Sequence, residues 1–179
     1  MLKLAILFAK HMYPTCTRIV LTDMSGYHDQ EVGNVDLPIR DMFLYKQTWY
    51  QRHLSDLNLK PCSKKGKSIV KEYLEILDTK PSKSDRKELG FDSVSETVYD
   101  AIQLLHASGK PKLYPTIIKT IQQYNLTTLI GLDWVGNLKN DDLFPGLVLD
   151  KTSIKKPETL KAQWGGQRIT DQHLFNMVM

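Results

Sequence analysis

The sequence predicts an α/β fold: a helix, strand and helix in the first third of the chain, then a mostly helical region with one or two short strands. Three observations lead there. An apolar helical run from Leu2 to Met12 is stopped by Pro14. The segment Thr17-Arg18-Ile19-Val20-Leu21-Thr22 is rich in β-branched residues and is bounded by Asp23, Ser25 and Gly26, the mark of a strand. Beyond residue 68 the apolar positions mostly recur at three and four residues, the spacing of one helical face.

The first helix is apolar over most of its circumference, so other elements should enclose it. It opens at the first residue without a cap, and a preceding N-terminal part is therefore expected. Gly26 to Pro38 holds Gly, Asn, Asp and Pro and reads as a loop. A second helix is expected from about Ile39 to Leu54, where Met42, Tyr45, Trp49 and His53 share a face and Trp49 belongs to the core. Residues 60–67, Lys-Pro-Cys-Ser-Lys-Lys-Gly-Lys, read as a solvated linker. That places a boundary near residue 62, between an N-terminal unit (1–62) and a mostly helical extension (63–179).

Within the extension, Ile69, Val70, Tyr73, Leu74 and Leu77 predict a short helix, and Thr79 to Lys87 a polar loop. Ser93 and Glu96 have the spacing of a capping box, ahead of a helix that ends by Gly109. Pro115 in a first turn opens another helix, closed by Asn125. Leu126 to Leu132 and Gly146 to Leu149 read as short strands. The tail is polar from Lys151 and apolar at Leu174, Phe175, Met177, Val178 and Met179, which suggests that it docks.

Composition narrows the function classes. With 179 residues, 41% hydrophobic and 25% charged, the chain is unlike collagen, a fully disordered segment or a membrane-spanning protein. No run approaches the roughly 20 apolar residues a membrane span requires. Met1 to Ala9 is too short for a signal peptide and meets Lys10 and His11 where a cleavage site would stand. A formal charge of +4 is a weak footprint for a nucleic-acid partner. Cys16 and Cys62 form no C-x-x-C, and no histidine stands at metal-ligand spacing, so neither a disulfide framework nor a metal is expected. The reading is a reducing compartment, the cytoplasm.

The residues richest in chemistry are Thr48-Trp49-Tyr50-Gln51-Arg52-His53-Leu54, taken with the strand end Leu21-Thr22-Asp23-Met24-Ser25. Together they resemble the second half of a GCN5-related N-acetyltransferase domain, and more closely uncharacterised acetyltransferase-like proteins of large DNA viruses. The resemblance covers about Leu2 to Pro61. It implies acetyl-CoA as donor, an amine as acceptor, and Tyr50 as the acid that protonates the departing thiolate. For a viral source it also implies the host cytoplasm or the virion. A phenol with its ordinary pKa near 10 keeps its proton at neutral pH, as that role requires. The family's usual Asn two turns before the Tyr is replaced by Phe43, and no Gly-Phe follows Leu54.

In that family a Gly-rich loop ahead of the first helix cradles the coenzyme pyrophosphate on the helix N-terminus. The resemblance therefore implies that activity needs sequence upstream of Leu2, and that residues 1–179 by themselves are inactive. The alternative is a non-catalytic interaction or structural protein on the same scaffold, with a protein partner. Trp49 and Tyr50 as plain core packing is the bland form of that reading.

Other motifs carry less. Gly66-Lys67-Ser68 has the ending of a phosphate-binding loop, but Pro61 stands where the first glycine is needed. His28-Asp29, with Asp23 and Ser25 nearby, holds acid/base residue types without a nucleophile elbow or metal spacing, so a loop that hydrogen-bonds to itself is expected. His11, His106 and His173 are isolated. Asp133-Trp134 and Gln163-Trp164-Gly165-Gly166 read as turns with an exposed-edge Trp.

Overall fold

The computed structural model describes residues 2–29, 33–91, 94–109, 113–139 and 143–147, with backbone alone at 27–29, 33 and 35. It is a mixed α/β structure, mostly helical, with a small antiparallel sheet.

Helix α1, Leu2–Met12, stops short of Pro14 as the sequence predicts, and strand β1 follows at Arg18–Thr22. Along β1 only Ile19 and Leu21 are buried, the alternation of a strand with one covered face. Contrary to expectation, the described residues do not enclose α1. Ile6 is its one buried residue among those described, and Leu4 and Phe8, one turn apart, stay exposed.

The predicted loop after β1 is a hairpin, β2 at Gly26–Asp29 and β3 at Gly33–Asp36, with Gly26 opposite Asp36. Two four-residue strands rich in Gly, Asn and Asp carry too little alternation to show in sequence. The helix expected over Ile39 to Leu54 is two helices. The first, α2 (Leu37–Tyr45), ends on Lys46 in the left-handed conformation (φ 55°). The second, α3 (Trp49–His53), starts afresh on a capping box in which Thr48 and Gln51 satisfy each other's backbone N–H groups.

The expected linker is ordered structure. Lys60–Pro61 is strand β4, and Ser63 Oγ accepts from the Gly66 N–H at 2.9 Å to cap α4, Lys64–Leu77. Lys64, Lys65 and Lys67 are exposed in the first turn of this helix, and Lys60 is exposed on β4. Gly66 is explained by packing, since a Cβ there would stand 3.2 Å from both Pro61 Cβ and Ser63 Oγ.

The expected polar loop at Thr79 to Lys87 contains most of α5, Lys83–Leu89, because Ser82 and Asp85 form a capping box that the low apolar content hides. The cap of α6, Val98–Ala107, is Thr97 with Asp100 instead of Ser93 with Glu96; Ser93 lies outside the described residues. In α7, Leu113–Gln123, Pro115 occupies the first turn, and Asn125 adopts φ 51° just beyond the end.

Leu126 to Leu132 is not a strand; the strand, β5, comes just after it at Asp133–Asn137. Of the expected strand at Gly146 to Leu149, Gly146 is turn and Leu147 irregular, and the rest lies outside the described residues, as does the tail with its Trp164 and apolar end.

Strand β5 runs down the middle of the sheet, in the order β1-β5-β4, with Leu21 and Pro61 both opposite Trp134 and Ile19 opposite Gly136. The sheet thus takes strands from both sides of residue 62. Ile6, Ile19, Leu21, Leu54, Leu57, Trp134 and Leu138 form one apolar cluster on it. A second cluster, including Phe43, Tyr73, Leu77, Ile102 and Ile117, joins helices α2, α4, α6 and α7, and partly buried Val70 and Leu132 touch both.

Gly136 is the tightest point of the sheet. A Cβ there would sit 3.0 Å from Leu57 Cβ and Leu59 Cδ2 and 3.1 Å from Ile19 Cγ2. Gly136→Ala should therefore destabilise by about 1–3 kcal/mol, as overpacking does. A urea midpoint equal to that of the wild type would show that these neighbours can yield.

Candidate functional site

The C-terminal end of β1 and the short helix α3 bring the chemical side chains together. Asp23 follows the last residue of β1, and its backbone is pinned on both sides: its N–H donates to Leu132 O at 3.3 Å and its carbonyl accepts from Gly131 N at 2.9 Å. Its side chain is fully buried. Oδ1 accepts from the Ser25 N–H at 3.2 Å and the Ser25 hydroxyl at 2.5 Å, while Oδ2 is buried without a hydrogen-bond partner. Of the loop expected to hydrogen-bond to itself, the Asp23 and Ser25 part does so, whereas His28 and Asp29 belong to strand β2. The sequence did not reveal that the Asp23 carboxyl is sealed from water.

Burial pushes the Asp23 pKa above its ordinary 3.8, against the opposing Ser25 hydrogen bonds, and the charge of Asp41 pushes the same way. The folded protein thus holds this proton more tightly than the unfolded chain, and stability falls as pH rises from 3.8 through the folded value. Asp23→Asn keeps an acceptor for Ser25 and removes that loss. It should melt above the wild type at pH 7, with the gain shrinking toward pH 3. A lower Tm at pH 7 would show that the ionised carboxylate is itself needed.

Tyr50 is half-buried on α3, packed against the sheet cluster. Burial, and then the negative charge of Asp23, raise its pKa above 10, so the phenol holds its proton throughout the neutral range. Trp49 departs from the core role expected of it. It is only half-buried, its ring edge-on to Tyr50 at 5.6 Å and tilted over exposed His53 at 4.5 Å.

On the α2 side, Asp41 is fully buried and bears two guanidinium groups. Arg40 donates through Nε and Nη2 to Oδ1 at 2.9 and 2.7 Å, and Arg52 of α3 donates through Nη1 to Oδ2 at 3.2 Å. Nothing in the sequence pattern signals this cluster, because Asp41 and Arg52 are eleven residues apart across the break between two helices. No protein-family model, curated protein or solved structure matches this chain.

Among the described residues, no group of three or more His, Cys, Asp or Glu is placed to hold a metal ion. None of the described helices is long and apolar enough to cross a membrane. The backbone of His28 and Asp29 lies in β2. The Gly66-Lys67-Ser68 stretch is the first turns of α4, with its Gly66 N–H already taken by Ser63.

Proposed function

We propose that this chain supplies the thioester end of an acetyltransferase-like site, in which an acetyl group passes from acetyl-CoA to an amine. The observation that carries the reading is the Tyr50 phenol, held protonated on α3 beside the end of β1. The described residues suit the acyl end of such a donor: a protonated hydroxyl, with the half-buried Trp49 ring against it. The donor brings an activated thioester, and the amine forms a bond to the acetyl carbon and gives up a proton to solvent as the carbon–sulfur bond breaks.

Tyr50 then donates a hydrogen bond to the departing sulfur and passes its proton over as charge builds there, recovering one from solvent. A thiol of ordinary pKa, about 8.5, is a stronger acid than this phenol. Transfer to a free thiolate is therefore uphill, and the gain comes from the hydrogen bond formed while the bond breaks. By the same resemblance, the pyrophosphate would rest on residues preceding α1. Cys16 and Cys62 as free thiols accord with a reducing compartment such as the cytoplasm.

A second reading, a non-catalytic binding protein on the same scaffold, draws on Leu4 and Phe8, which present an apolar strip on α1 to a protein partner. The experiment that separates the two is thiol release from acetyl-CoA by the full-length protein, taken to include the sequence upstream of Leu2 that the resemblance calls for, measured with and without a panel of primary amines. Amine-dependent release supports the transferase; no release above the buffer rate with any amine favours the binding protein.

A further inference from the structure

We propose that Asp41 is a positioning residue for Tyr50, acting through Arg52 to fix how α3 is turned about its own axis; the inference rests on the reading of Tyr50 as proton donor. Helix α3 has five residues, none of them fully buried, and the partial packing of Tyr50 on the sheet cluster is all that apolar contact contributes to its rotation. Its two ends are fixed by buried Thr48, through the capping box, and by buried Leu54. Between them Arg52 reaches Asp41 on α2 at 3.2 Å, and its guanidinium lies 3.4 Å from the centre of the Tyr45 ring, a cation–π stack.

Arg40 holds the other oxygen of Asp41 through two donors, so the carboxylate is fastened from both sides. Each residue turns a helix by about 100°, which sets Tyr50 and Arg52, two apart, on roughly opposite sides of α3. Holding Arg52 against α2 therefore directs Tyr50 the other way. There it packs on the cluster of β1 and β5 and meets the charge of Asp23.

Tyrosine labelled with 13C at Cζ in the full-length protein provides the test, with the Tyr50 resonance assigned by its loss in Tyr50→Phe. Arg52→Gln removes both the ion pair and the stack at a position whose side chain is 28% exposed. The Tyr50 resonance should move while the Tm changes by no more than a few degrees. Turnover should fall about tenfold with KM for acetyl-CoA within about twofold, the pattern of lost orientation.

Arg52→Lys, which keeps the charge, should recover part of that turnover. Asp41→Asn combined with Arg52→Gln should fall no further than the worse single change, because both cut one link. Should Asp41→Asn fail to fold, the two Arg52 variants decide the matter alone. An unmoved Tyr50 resonance in Arg52→Gln overturns the positioning role, whatever the turnover. A moved resonance in a protein that transfers no acetyl group leaves the clamp standing and removes the catalytic reading of Tyr50.

Discussion

Tyr50→Phe should lower acetyl transfer by about 10²–10⁴, the scale of general acid catalysis, with KM for acetyl-CoA and thermal stability little changed. The substitution removes one oxygen and keeps the ring that packs on the sheet cluster and meets Trp49 edge-on at 5.6 Å. Stability should hold because the ring that makes these contacts is kept whole. The measurement is steady-state thiol release by the full-length protein. Unchanged turnover would reduce Tyr50 to a packing residue. A collapse of the Tm would mean that the hydroxyl satisfies a buried group, and its loss would then cost folding before chemistry.

Trp134→Ala should destabilise by about 3–5 kcal/mol, as complete truncation of a large buried aromatic does. Trp134 is fully buried in the central strand, with Leu21 opposite it on one side and Pro61 on the other. Removing the indole opens a cavity under both outer strands. Trp134→Phe should lose clearly less, because it keeps a ring in place and discards an indole N–H that has no partner. Urea unfolding followed by far-UV circular dichroism distinguishes the two variants. Equal midpoints for Ala and wild type would contradict the central place of this residue.

Sequence reasoning succeeded where structure is written locally. Helix α1 and strand β1 were legible because Pro14, the β-branched run and the Asp23-Ser25-Gly26 end lie within a few residues of what they delimit. The break between α2 and α3 was missed because Lys46 takes a left-handed conformation without the glycine that usually announces one. Trp134 was misread as an exposed turn residue because its neighbours Gly131 and Asp133 look like a turn, while its partner Leu21 is far away in the chain.

The candidate site divides in the same way. Tyr50 could be singled out from a short contiguous motif. The Asp41 and Arg52 pair could not, since neither three- nor four-residue spacing connects them. The backbone of Asp23 is held by Gly131 and Leu132, to which nothing near Asp23 in sequence points.

The middle place of β5 also governs the order in which the protein can be made. Thr22 and Asp133, hydrogen-bonded across β1 and β5, are 111 residues apart. At ribosomal speeds of about 5–20 residues per second, β1 leaves synthesis roughly 5–20 s before its partner exists. During that interval β1 and β4 have no strand between them, whereas α2, α4, α6 and α7 already have one another to pack against. The helical cluster is thus the natural first assembly, and the surface that receives Tyr50 takes shape only when β5 threads between its two waiting neighbours. A nascent chain stalled before Asp133 would present two open strand edges, the kind of surface that chaperones bind and that aggregates grow from.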